Sequence, residues 1–175
     1  MKYSVDLPYP PIKVKTENSK FADLILLNYA GSVSEFSAIT QYTYHEIALK
    51  YKFEEVSETI QGIAEVEMHH LQMLGELIVK LGKSPGYWIC KHKKLNFWTP
   101  EFISYSTDLK KVLAVDINDE KEAITQYKRT IQQIDDSYII DIIDRIILDE
   151  EYHIKLFTEL YNKYLDWKFF KSWFF

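Results

Sequence analysis

The chain carries one pattern twice. Ser34–Tyr42 reads SEFSAITQY, and Asp119–Tyr127 reads DEKEAITQY, 85 positions later. A Glu-x-x-His pair follows each copy, Glu67 with His70 and Glu150 with His153. Helical spacing puts positions i, i+3, i+4 and i+7 on one face. On the face of Glu67 and His70 those positions hold Ile60, Ile63, Ala64, Leu71 and Leu74. On the face of Glu150 and His153 they hold Ile143, Ile146, Ile147, Ile154 and Phe157. Glu35 shares its face with Ala38, Ile39 and Tyr42, and Glu120 shares its own with Ile117, Ala123, Ile124 and Tyr127. Four carboxylates and two imidazoles therefore fall on apolar stripes. Such a chain must bury these groups together with something that balances their charge.

The 175 residues predict one domain with four long helices. Residues 1–18, with Pro8, Pro10 and Pro11, read as an extended arm. The first helix is expected over 19–50, capped by Asn18 or Ser19, and the second over 53–81, stopped by Gly82. Residues 83–100 have no sustained period and read as a long connection. Thr99 and Pro100 then open a third helix to residue 134, and the fourth spans 136–167. Residues 168–175 end the sequence in an aromatic tail that folds back on the bundle, closes a dimer or docks a partner. A net charge of −5 without a basic stripe argues against nucleic acid. The single cysteine, Cys90, excludes an internal disulfide and a four-cysteine iron site, and fits a reducing compartment. No apolar run approaches the roughly 18 residues of a membrane span, and the first residues lack the apolar core of a secretion signal. A cytoplasmic location is expected.

Buried carboxylates that are close together repel and are costly to desolvate. Two divalent cations would bring four positive charges to four carboxylates, and neutral imidazoles would add nitrogen ligands. The expected metal ligands are Glu35, Glu67, His70, Glu120, Glu150 and His153, with Glu67 and Glu150 bridging and Glu35 and Glu120 terminal. A lone Glu-x-x-His is usually a core histidine beside a solvated glutamate. Here two such pairs stand 32 and 30 residues after a repeated Glu, which lets each helix go up and return to mid-bundle. Two hairpins joined by one crossover, with these ligands facing inward, define an all-α, ferritin-like four-helix bundle. Tyr42 and Tyr127 stand two turns past Glu35 and Glu120. They read either as hydrogen-bond partners of the carboxylates or as core aromatics. Together with Glu67 and Glu150 they are the candidate catalytic residues. His45 and His92 read as surface or loop positions.

The motifs resemble those of the ferritin-like superfamily and, within it, the rubrerythrins. The carriers are Glu35-x-x-Ala38-x-x-x-Tyr42-Thr43-Tyr44, Glu67-Met68-His69-His70 and Glu150-Glu151-Tyr152-His153. The opening YPPIKV, with NSKFADLILLNYAGSVSEFSA after it, is also similar to manganese catalases. The resemblance implies two metal ions per chain, iron first and manganese as the alternative. It implies an oxidoreductase acting on hydrogen peroxide or oxygen, as in rubrerythrin-like peroxide detoxification. Rubrerythrins carry a further Glu three residues after the third-helix ligand, and this chain has Ala123 there. They also often carry a four-cysteine rubredoxin domain, so electrons would come from a separate donor protein. A homodimer or higher homo-oligomer is expected. The alternatives are a ferritin-like ferroxidase storing iron, peroxide dismutation as in manganese catalases, and a non-enzymatic shell-associated protein stabilised by its metals.

Overall fold

The computed structural model describes residues 3–91 and 94–165. The aromatic tail, the end of the fourth expected helix and His92 lie outside the described residues. Helices α1 (Ser19–Ala30), α2 (Glu35–Leu49), α3 (Glu54–Lys80), α4 (Leu109–Ile131) and α5 (Ser137–Leu165) build the bundle, with β1 (Trp88–Lys91) and β2 (Lys94–Phe97) in the crossover. The fold is ferritin-like, and its four long stretches are α1 with α2, then α3, α4 and α5. None of the described helices is long and apolar enough to cross a membrane.

The first expected helix is broken. Gly31 leaves the helical conformation, and a Cβ there would stand 2.5 Å from the Leu27 carbonyl oxygen. Ser34 then caps a new helix. Its Oγ accepts from the Ser37 amide and donates to the Gly31 carbonyl at 2.8 Å. Small residues and hydroxyls that bond their own backbone favour such caps over helix interiors. The break makes Glu35 the first residue of α2, where the positive end of the helix favours a carboxylate.

The third expected helix starts late. Thr99 and Pro100 open only a 3-10 turn, Pro100–Phe102, and Asp108 caps α4 by accepting from the Lys111 amide at 3.0 Å. Between them the Ser104 amide is held by Gln41 Oε1 at 2.7 Å. Gly82, at φ 87°, closes α3 as expected, and the Lys83 amide reaches back to the Ile78 carbonyl. The connection is not structureless. Its strands pair antiparallel, and its aromatic residues pack on the α1–α2 break, with the Tyr87 ring 4.0 Å from that of Phe36 and Trp98 Nε1 donating to Ser37 Oγ.

The arm, described from Tyr3, runs antiparallel to α5. Val5 meets Asp149, Leu7 meets Arg145, and Lys15 meets Asp136. The apolar interior falls into two clusters. One contains Ile25, Leu74, Ile124 and Ile143; the other contains Leu49, Ile60, Leu113 and Phe157. On the first three long stretches the change from one cluster to the other falls at Glu35, Glu67 or Glu120, and on α5 it falls just past Glu150, between Ile154 and Leu156.

Candidate metal centre

The apolar periodicity that builds each helix also aims its glutamate inward. Glu35, Glu67, Glu120 and Glu150 are at most 3 % exposed, and His70 and His153 are fully buried. The structure brings all six together. One group comprises Glu35, Glu67, His70 and Glu150, the other Glu67, Glu120, Glu150 and His153, each with ligand atoms within 4.8 Å of one another. Glu67 and Glu150 belong to both groups. Each imidazole turns Nδ1 toward the carboxylates. His70 Nδ1 is 3.0 Å from Glu67 Oε2 and 3.4 Å from Glu150 Oε1. His153 Nδ1 is 3.0 Å from Glu150 Oε2 and 2.8 Å from Glu67 Oε1.

The two repeats hold each other's glutamates. Tyr42 OH donates to Glu120 Oε1 at 2.6 Å, and Tyr127 OH donates to Glu35 Oε1. Both phenols are buried, and burial followed by the accepting carboxylate pushes each well above its usual pKa. Of the two readings open for these tyrosines, the geometry is that of hydrogen-bond partners.

The electrostatics are those of a crowded acidic core. Burial pushes Glu35 well above the usual carboxylate range, and Glu67 and Glu150 push the same way. Burial and the same two neighbours raise Glu120 to about 8. Burial acts against ionised Glu67 too, but the charge of the adjacent His153 outweighs it and holds Glu67 well below its usual value. For the imidazoles, burial disfavours the charged form, yet Glu150 raises His70 and Glu67 raises His153 well above the ordinary value. Positive charge at this place is therefore favoured. The donor set fits divalent metal in a second respect. Glu67 Oε1 and Glu150 Oε1 are buried and have no partner in hydrogen-bonding geometry, an arrangement costly for a carboxylate without a cation.

A cavity of about 260 Å³ meets the cluster on its carboxylate side. All four glutamates line it, as do Tyr42, Tyr127, Asp119, Glu122 and Ala123, and among the described residues no lysine or arginine does. Asp119 on this wall is raised to about 6 by burial, against the hydrogen bond from Gln41. The two imidazoles face the other way, toward α5 and the arm.

Sequence reasoning missed three groups around the centre. His45, expected at a surface, is fully buried, and its Nδ1 lies 3.0 Å from Asp116 Oδ1. Gln41 Nε2 joins Asp116 to Asp119, while its repeat equivalent Gln126 ties down the α1–α2 break through the Val33 carbonyl and Asn28. The signal was in the repeat itself, where both glutamines precede the tyrosine. Asp149 accepts from His70 Nε2 at 3.1 Å. Its clue was Arg145, four residues earlier and one helical turn away.

Fold and site together define a ferritin-like bundle with a carboxylate–histidine core. The family model for rubrerythrin matches residues 26–161, and the chain belongs to the rubrerythrin family. A probable manganese catalase of Clostridium acetobutylicum is 28 % identical, over 87 % of this chain and 75 % of that protein. The crystal structure of a manganese catalase from Anabaena superposes with a TM-score of 0.82 at 22 % identity, covering 90 % of this chain and 78 % of its own. Bacterioferritin of Mycobacterium tuberculosis superposes with a TM-score of 0.69 at 21 % identity, covering 85 % and 89 %. At such identities the structural likenesses establish the fold.

Proposed function

We propose that this chain is a dimetal oxidoreductase that acts on hydrogen peroxide. The observation that carries the reading is the buried set of four glutamates and two histidines, reached by a small cavity on its carboxylate side. Glu67 and Glu150 would bridge two ions, Glu35 with His70 would complete one position, and Glu120 with His153 the other. When bound, the metal pair would supply the electrons and the Lewis-acid activation of peroxide oxygen. The relative from Clostridium acetobutylicum favours manganese; the family and the oxygen–nitrogen donor set accept iron equally well.

The chain's own residues do the rest. Tyr42 and Tyr127 each hold one oxygen of a terminal glutamate, so the carboxylates keep their place when substrate enters. The cavity volume restricts entry to small molecules, and its wall offers Asp119, half-buried and oriented by Gln41, as an acceptor for protons leaving the substrate. Ala123 stands where rubrerythrins carry an additional glutamate. That keeps the ligand set at six and favours a site whose ligands do not exchange during turnover.

The test is peroxide consumption by protein loaded with manganese or with iron, with and without a reductant. Oxygen release without reductant identifies dismutation. Consumption only with reductant identifies a peroxidase served by a separate donor. No consumption in either condition, by protein holding two metals, sinks the proposal.

A second reading has its own support. A cavity walled by glutamates and Asp119, with no basic side chain among the described residues, also suits ferrous ions as substrate, as in a ferroxidase. Iron supplied in large excess under air distinguishes the two. A ferroxidase accumulates an iron core in a large shell on a sizing column, and a peroxide enzyme stays at two ions per chain.

A further inference from the structure

The side of the cluster away from the cavity is closed by the N-terminal arm, and the arm treats the two histidines differently. His153 Nε2 lies 3.1 Å from the Tyr3 carbonyl oxygen, a neutral acceptor. His70 Nε2 lies 3.1 Å from Asp149 Oδ2, a buried carboxylate. The arm holds Asp149 in turn. Tyr9 OH donates to Oδ2 at 2.5 Å and the Val5 amide donates to Oδ1 at 2.7 Å. Arg145 Nη1 is paired with Oδ1 at 2.7 Å, its Nη2 donates to the Val5 and Leu7 carbonyls, and its guanidinium lies over the Tyr9 ring.

An imidazole that donates from Nε2 presents the Nδ1 lone pair, and in both histidines Nδ1 is the atom that faces the glutamates. The backing group also tunes the ligand. A carboxylate behind an imidazole raises its basicity toward metal more than a peptide carbonyl does, and such outer partners are worth about 10- to 100-fold in affinity.

Resting on the dimetal reading above, we propose that residues 3–9 are a working part of the metal centre. They lock both imidazoles with Nδ1 inward and make the two metal positions unequal, the Glu35–His70 position being the tighter. Asp149, Tyr9 and Arg145 are positioning residues in this scheme. They act through His70 and touch no metal.

The test is titration of metal-free full-length protein with Mn²⁺ alone, followed by calorimetry and by the electron paramagnetic resonance signal of isolated Mn²⁺. The unaltered protein is expected to fill in two steps, with an isolated-ion signal at one equivalent that is lost at two. Asp149→Asn keeps the shape and removes the charge. It should weaken the tight step by about 10- to 100-fold and leave the weak step unchanged, so the steps converge. Tyr9→Phe, which keeps the ring under Arg145, should weaken the same step by a smaller factor, and serves if Asp149→Asn does not fold. Two equal steps in the unaltered protein, or variants that weaken both steps alike or neither, overturn the proposal. Failure of the unaltered protein to take up metal at all would instead overturn the dimetal reading on which it rests.

Discussion

At the scale of residues, the centre separates two kinds of glutamate. Glu67 and Glu150 sit in both candidate ligand groups, and Glu35 and Glu120 in one each. Glu35→Ala is therefore expected to lower metal content from two ions per chain to one, and Glu67→Ala to abolish loading. Elemental analysis after dialysis against excess Mn²⁺ measures both, and equal losses in the two variants would contradict the bridging assignment. Proton linkage gives a second prediction. Glu120 is raised from 4.5 to about 8, and Glu35, His70 and His153 are raised as well. A group with a raised folded pKa stabilises below its unfolded value and loses that contribution as pH climbs through the folded one. Glu67 is lowered, so its contribution is present above 4.5 and lost only in acid. The metal-free protein should thus melt at lower temperature as pH rises from about 6 to about 9. Metal-loaded protein should show little of this fall, since metal replaces the protons. A melting temperature of metal-free protein that stays constant or rises over that range would refute the linkage.

At the scale of elements, what could be read in the sequence depended on how local its cause was. Period and apolar face located the helices and aimed all six candidate ligands inward, because each of those facts lies within about seven residues of chain. The break at Gly31–Ser34 was harder. Its apolar pattern continues on both sides, and the competing caps become visible only when Gln126 is seen holding the Val33 carbonyl from α4. The late start of α4 has the same origin, for Gln41 captures the Ser104 amide from another helix. His45 and Asp116 lie 71 positions apart, and nothing near either one announces the other. The break carries a prediction of its own. Ser34→Ala removes both the cap of α2 and the donor to Gly31, and should cost about 1–2 kcal/mol. Urea denaturation measures it, with the midpoint shifting down and the slope unchanged. A shift indistinguishable from zero would mean that Gly31 alone sets the break.

At the scale of the whole molecule, the bundle is two apolar cores joined through a layer of buried titratable groups. Metal bound in that layer would stabilise the folded chain by an amount that grows with the logarithm of its affinity, because the unfolded chain has no such site. A melting temperature equal with and without Mn²⁺ would count against metal as a structural partner. The layered arrangement also fixes where the molecule gives way. Helices normally fray from their ends, and the ends here are packed in one core or the other. Without metal, the weakest seam is at mid-height, where buried polar groups interrupt the apolar packing. Amide exchange in metal-free protein should therefore spread outward from around Glu67 and Glu150 while both ends of α3 and α5 stay protected. Added Mn²⁺ should close that window, in the way a rivet through the middle of four staves holds them although their ends were never loose.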